Sequence, residues 1–206
     1  MKKGCGISLL IVFGLGIILI GLIYWAFQPE YKTVEIQQKI GGKLICKMEY
    51  YPDHHSWDYF INYEYETKNG EIQNLGQGIY SGREWNENEQ LVKVNNWYVL
   101  KTGNFHGSDK IIYGDLKSPE WKEYEFTPQS IEKDSLWKTK KIKTLINWSP
   151  SESYIEDIEN NKITVIYEYR IDESKTELTE KKLIEYELSE DKPEMKKITN
   201  YNNVYN

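Results

Sequence analysis

The sequence predicts a mostly β protein in which a single N-terminal transmembrane helix precedes an antiparallel β domain with one or two short helices. Three observations support this fold class. The stretch Ile7–Phe27 contains no charged residue. After residue 32, side-chain character repeats every two positions more often than every three or four, as it does in strands. Glycine and asparagine pairs interrupt the alternation at intervals typical of hairpins, so we expect a sandwich or an irregular barrel.

The stretch Ile7–Phe27 is long enough to cross a bilayer as a helix, because it spans about 32 Å at the usual helical rise. In lipid, a helix satisfies all of its own backbone polar groups. A cleaved signal peptide is the alternative, since Lys2 and Lys3 precede the apolar run. The bulky residues around Ala26 do not suit a cleavage site, however, and we therefore expect an uncleaved anchor.

The charges that flank the anchor predict its orientation. Lys2 and Lys3 lie before it, whereas Glu30 and Lys32 nearly cancel each other after it. By the positive-inside rule, residues 1–6 are cytoplasmic and residues 28–206 form one domain outside the cell membrane. Abundant lysine, asparagine, isoleucine and tyrosine also suggest an AT-rich bacterial genome, and hence a single-pass protein of a bacterial envelope.

The predicted outer domain is acidic and has one cysteine. The whole chain carries −6, and removing Lys2 and Lys3 leaves −8. Such a domain lacks the basic surface that nucleic acid requires. Because Cys5 precedes the anchor, Cys46 has no partner for an internal disulfide, and we interpret it as a small core residue.

The first predicted hairpin joins strands 33–40 and 44–51. A three-residue loop, Gly41-Gly42-Lys43, pairs Ile36 with Met48 and collects the apolar side chains on one face, whereas a two-residue Gly-Gly loop does not. A glycine is also available for the left-handed position that such loops require. The sequence therefore favours the three-residue loop.

The second predicted hairpin has the clearest turn signal in the chain. Strands 57–67 and 71–80 flank Asn69-Gly70, which we place at the centre of a two-residue turn. This register pairs Tyr63 with Gly76. A cross-strand aromatic ring can cover the bare backbone of a strand glycine, so we expect Tyr63 to lie across Gly76.

The remaining elements follow from turn and cap residues. A third hairpin turns at Asn95-Asn96, and a short helix begins at Pro128, with Ile131 and Leu136 facing inward. Residues 149–152 have capping-box spacing for a second helix. That helix competes with a hairpin that turns at residues 160–161, which we prefer. Further predicted strands cover residues 90–94, 97–101, 110–116, 121–126, 154–159, 162–170, 182–188 and 194–199.

Three loop histidines, His54, His55 and His106, are the candidate catalytic or metal-binding residues. Histidines and carboxylates are zinc ligands, and three acidic residues lie beside them: Asp53, Asp58 and Asp109. Adjacent His54 and His55 point in opposite directions in an extended chain, which does not suit a shared metal. We interpret all three as ordinary loop residues and assign no metal, cofactor or catalytic residue.

These features predict a binding or interaction protein of the cell envelope, of an accessory or immunity type. Its expected partners are the lipid bilayer, through Ile7–Phe27, and a protein or glycan. The tryptophans outside the anchor can form a binding platform, but core packing explains them better. Two alternatives remain: a membrane-tethered metal-dependent hydrolase that uses the three histidines, and a β barrel whose tyrosines line a pocket for a hydrophobic ligand.

Overall fold

The computed structural model describes residues 13–23, 28–52, 57–81, 85, 89–103, 108–118, 120–142, 152–170 and 179–201. Within these residues, strands form three antiparallel four-stranded sheets, and the helices are short. Each sheet is an up-and-down meander of consecutive strands. The predicted mostly β, antiparallel class is therefore confirmed.

The strands are numbered in chain order. The first sheet contains β1 (Glu30–Gln37), β2 (Lys43–Pro52), β3 (Trp57–Glu66) and β4 (Ile72–Ser81). The middle sheet contains β5 (Val92–Val94), β6 (Trp97–Gly103), β7 (Asp109–Gly114) and β8 (Trp121–Glu125). The third sheet contains β9 (Glu152–Glu159), β10 (Lys162–Arg170), β11 (Thr179–Leu188) and β12 (Pro193–Asn200). The helices are α1 (residues 13–23), α2 (Pro128–Lys133) and α3 (Ser135–Thr139).

The middle sheet packs on the first sheet with one face and on the third with the other. Leu100 and Ile112 belong to the core shared with the first sheet, whereas Val99 and Ile111 belong to the core shared with the third. Successive strand residues point to opposite faces, so adjacent apolar residues reach different cores. All six residues of β7 are buried. The β domain thus has three layers of sheet, whereas we predicted a two-layer sandwich or a barrel.

The first hairpin has the predicted faces but a different register. Ile36 pairs with Leu44 rather than with Met48, and the loop covers residues 38–42. The shift of four residues keeps the same side chains inside, because it preserves the alternation. β1 ends at Gln37 because the next residue, Gln38, turns away from the sheet. The Gln38 side chain instead binds backbone groups of Glu89 and Leu91, just before β5. Both glycines of the loop have positive φ, 93° and 72°.

The second hairpin pairs Tyr63 with Gly76, as predicted, but its turn differs. The amide of Gly70 donates to the carbonyl of Thr67 at 3.0 Å, so the two residues between them form the centre of the turn. Gly70 follows as a third loop residue with φ +83°. A bulge at Leu75 compensates for the longer loop and restores the predicted register further along the strands.

Gly70→Val should lower the free energy of unfolding by about 1 kcal/mol or more, because a β-branched side chain tolerates positive φ poorly. A Cβ atom at Gly70 meets no other atom within 4 Å, so the expected loss is conformational and not steric. Urea unfolding measures it. Gly70→Asn is the control and should lose less, since asparagine adopts this conformation more readily. Equal stability of the valine variant and the unchanged chain would contradict the assignment.

The asparagine turns were predicted correctly. Val94 pairs with Trp97 across the third hairpin. β9 and β10 turn at Asn160 and Asn161, whose φ values are 50° and 63°. Glu152 begins β9, so the hairpin is present there and not the competing helix. Residues 149–151 of that predicted helix lie outside the described residues. The remaining predicted strands are present with bounds shifted by a few residues.

The helix at Pro128 is also confirmed. Thr127 caps α2, since its side chain accepts a hydrogen bond from the amide of Ser130 at 3.1 Å. Pro128 occupies the first turn, where it removes no helical hydrogen bond. Ile131 is fully buried and Leu136 packs against the same core, as predicted.

The helix α1 exposes its large apolar side chains, each by 50% to 71%. They are Phe13, Leu15, Ile17, Ile18, Leu19, Ile20, Leu22 and Ile23. Among the described residues, no helix has the length and apolar character needed to cross a membrane. Residues 7–12 and 24–27 of the predicted anchor Ile7–Phe27 lie outside the described residues, and the transmembrane helix stays a prediction.

Candidate functional site

The predicted candidate residues are mostly outside the part of the chain that the structure describes. This holds for His54, His55, His106 and Asp53, and for the side chain of Asp58. Among the described residues, no group of three or more histidines, cysteines or carboxylates can hold a metal ion. The interpretation of the three histidines as ordinary loop residues stays a prediction, as does the hydrolase alternative.

Asp109 is described, and it joins two sheets. Its buried side chain accepts a hydrogen bond from the amide of Ile155 at 2.6 Å and lies 3.2 Å from the ammonium of Lys101. The bond connects β7 of the middle sheet to β9 of the third. Asp109 therefore has a clear structural role.

Among the described tryptophan side chains, one is buried in a core and three are half-buried. Trp137 is buried, and its ring contacts those of Tyr167 and Tyr169 with centroid distances of 5.3 Å and 5.7 Å. Trp85, Trp97 and Trp121 are half-buried and pack against the two cores. Neither side chain of the remaining pair, Trp57 and Trp148, is described.

A buried carboxylate, Glu89, lies between the first and middle sheets. It precedes β5 in the connection from β4 and is 8% exposed. Its Oε1 accepts hydrogen bonds from the hydroxyls of Tyr63, at 3.1 Å, and Tyr80. The Tyr63 hydroxyl also lies 3.3 Å from Oγ1 of Thr102 on β6. Among the described residues, Glu89 Oε2 has no hydrogen-bond partner.

Two glycines make room for the two tyrosine rings. A Cβ atom at Gly78 would lie 2.8 Å from Cε2 of Tyr63, and one at Gly103 would lie 2.9 Å from Cδ1 of Tyr80. Such distances require the neighbours to move. The ring of Tyr63 thus lies against Gly78, and not across Gly76 as we predicted, although the Cα atoms of Tyr63 and Gly76 are paired. The Tyr63 side chain leans along the sheet, so its ring contacts β4 two residues beyond the residue with which its backbone is paired.

Glutamine side chains hold the backbone on either side of this carboxylate. Gln38 donates to the carbonyl of Glu89 at 3.2 Å and accepts from the amide of Leu91 at 2.7 Å. Gln90 donates to the carbonyl of Gln37 at 3.2 Å. Residues 89–91 are therefore fixed to the loop that follows β1, and the Glu89 side chain is directed into the interior.

Burial raises the pKa of Glu89 to about 7, because desolvation outweighs the hydroxyl hydrogen bonds that favour the charged form. Burial likewise raises the pKa of Tyr63, Tyr80 and Cys46. The whole cluster is therefore uncharged in mildly acidic solution.

Sequence reasoning did not identify Glu89, which lies in a polar segment that reads as a solvent-exposed loop. The usable signal was in the strands. Two glycines two residues apart, Gly76 and Gly78, interrupt β4, and the alternation places Tyr63 and Tyr80 on the same inner face. Tyrosine hydroxyls on an inner face require a polar partner, because a buried unpaired hydroxyl is costly.

The fold and the cluster define a three-layer antiparallel β protein with a buried carboxylate between two of its layers. No protein-family profile matches the chain, and neither do the curated proteins or the solved structures with which it was compared.

Proposed function

We propose that the chain is a membrane-anchored interaction protein of the bacterial envelope, of an accessory or immunity type. Its N-terminus is cytoplasmic, and its β domain lies outside and binds a protein or a glycan. The uncharged stretch Ile7–Phe27 and the preceding lysines support the anchor and its orientation.

The observation that carries this proposal is the surface of α1. Each of its large apolar side chains is at least half exposed, and none of them belongs to either hydrophobic core of the described residues. Apolar surface in water costs about 25 cal/mol per Å². Burial in lipid removes that cost along the whole helix, whereas one side of a protein would cover only one face.

The outer face of the first sheet has the opposite character, which supports a position in water. Lys43 lies 3.1 Å from both Glu35 and Glu66, and Lys47 lies 2.6 Å from Glu64. Charged side chains are seldom buried, so this face is suited to contact with water. They leave a polar surface, with an acidic overall charge, for a partner that is not nucleic acid.

The double substitution Ile18→Asp/Leu19→Asp should release the protein from the membrane. Each aspartate near the centre of a membrane helix costs about 2.5–3.5 kcal/mol. The measurement is the fraction of protein that stays in carbonate-washed membranes. The matched control is Ile72→Asp, because Ile72 on β4 is as exposed as Ile18, at 59%, and should leave membrane retention unchanged.

Protease added to intact spheroplasts should then digest the β domain of the unchanged protein and spare a short membrane-bound fragment. A soluble mature form that begins near residue 27 would overturn the anchor. Digestion only after the spheroplasts are broken would reverse the orientation.

The interaction itself is tested by purifying the full chain from its native membrane in mild detergent. Binding is supported if a protein or glycan copurifies in a fixed ratio. Added full-length protein, anchored in vesicles, should compete for that protein or glycan. Stoichiometric zinc together with metal-dependent hydrolysis would instead favour the enzyme alternative.

A further inference from the structure

We propose that Glu89 is a proton-controlled latch, which holds residues 89–91 between the first and middle sheets when its side chain is protonated and releases them when it ionises. This latch consists of Glu89 with its partners Tyr63, Tyr80 and Gln38. It is independent of the proposed anchor and of the identity of any partner.

Burial favours the protonated form in the closed state, because Glu89 is 8% exposed and its Oε2 has no hydrogen-bond partner among the described residues. The two hydroxyl donors, from Tyr63 on β3 and Tyr80 on β4, both bind Oε1 and oppose this preference in part, because hydrogen bonds donated to a carboxylate favour its charged form. The other titratable group that acts on the site is Cys46 on β2, while β6 contributes the uncharged Thr102. Among the described residues, no cation contributes to the electrostatics of Glu89. A buried carboxylate without a cation is costly, and it can avoid the cost by binding a proton or by moving into water.

The direction of the pH dependence follows from this. The pKa of Glu89 is raised from 4.5 to about 7 in the closed state, and it returns towards 4.5 when the side chain is exposed. The closed state is therefore fully favoured below pH 4.5, and this preference is lost as the pH rises through 7. The opening equilibrium should increase by nearly 10-fold per pH unit in the middle of this interval, or by about 40-fold from pH 5 to pH 7, and then level off.

The chain contains its own reporter for this opening. Cys46 is a free cysteine with no exposed surface, and it shares a core with Leu91, two residues after Glu89. Release of residues 89–91 removes Leu91 from that core and uncovers the thiol. The rate at which Cys46 reacts therefore measures the open population.

The experiment uses the full chain with Cys5→Ser, in mild detergent, labelled with 4,4′-dithiodipyridine between pH 5 and pH 9. Each rate is divided by that of glutathione at the same pH, which removes the ionisation of the thiol itself. The corrected rate of Cys46 should rise about 40-fold from pH 5 to pH 7 and change little above pH 8. In Glu89→Gln it should be independent of pH. A flat profile in the unchanged chain would overturn the latch.

A second thiol separates local opening from global unfolding. Ile163 is fully buried in the other core, so Ile163→Cys in a Cys5→Ser/Cys46→Ser chain reports on the third sheet. Its corrected rate should not change with pH. If it follows the Cys46 profile, the pH dependence belongs to the whole fold and the latch is wrong.

Tyr80→Phe tests the same site should Glu89→Gln fail to fold. Removing one donor makes the buried carboxylate less stable, so the rise in the Cys46 rate should continue to a higher pH before it levels off. A profile identical to that of the unchanged chain would contradict the latch.

Discussion

Ile112→Ala should lower the free energy of unfolding by about 2–5 kcal/mol, and Ile111→Ala should lower it by a similar amount. Both side chains are fully buried on β7, and they point into different cores. Each substitution removes the contacts of a large side chain and leaves a cavity that the surrounding strands cannot fill completely. Urea unfolding of the two single variants measures both losses.

This pair of variants distinguishes three layers from two. In a two-layer sandwich, one of two adjacent strand residues faces water, and its replacement costs little. The control is Ile72→Ala, at an exposed position of β4, which should change stability by no more than about 0.5 kcal/mol. A large loss for one isoleucine and a negligible loss for its neighbour would disprove the stack.

Asp109→Ala should have the second large effect, a loss of about 2–4 kcal/mol. The substitution leaves the amide of Ile155 without its acceptor and removes the ion pair with Lys101. Lys101 is about half exposed, so water compensates for much of the lost ion pair. The unpaired amide therefore accounts for most of the expected effect, since it lies in the interface between two sheets.

Asp109→Asn separates these two contributions. The amide oxygen of asparagine can still accept the hydrogen bond from Ile155, and only the charge is lost. Thermal unfolding should rank the stabilities as unchanged chain, Asn variant, Ala variant. Equal losses in both variants would show that the charge, and not the hydrogen bond, connects the sheets.

Elements that depend on local chemistry were predictable from the sequence. The asparagine turns at residues 95–96 and 160–161 fix their hairpins because asparagine tolerates positive φ. The cap at Thr127 and the proline after it define the start of α2 in the same local way. The pairing of Tyr63 with Gly76 followed from parity alone, even though the turn beside it contains one residue more than we assigned.

Features that depend on distant residues were not predictable in this way. Gln38 shortens β1 because it binds groups 51 and 53 residues further along the chain. The burial of Glu89 depends on tyrosines from two other strands and on Gln38, all distant from it in the sequence. One signal for the third layer was present in the sequence, in the consecutive apolar pairs Val99-Leu100 and Ile111-Ile112. A strand that is covered on both faces does not need to alternate apolar with polar residues.

The order of the sheets in the stack is also the order in which a ribosome makes them. Each meander comes from one uninterrupted segment, so the first sheet can form before the second is synthesised. The second face of the middle sheet, however, is covered last. It stays exposed until the strands that begin at residue 152 pack against Val99, Ile111 and Tyr113. A chain interrupted after β8 exposes this apolar face to its neighbours. During synthesis, the half-covered middle sheet therefore presents an apolar face that is prone to aggregate.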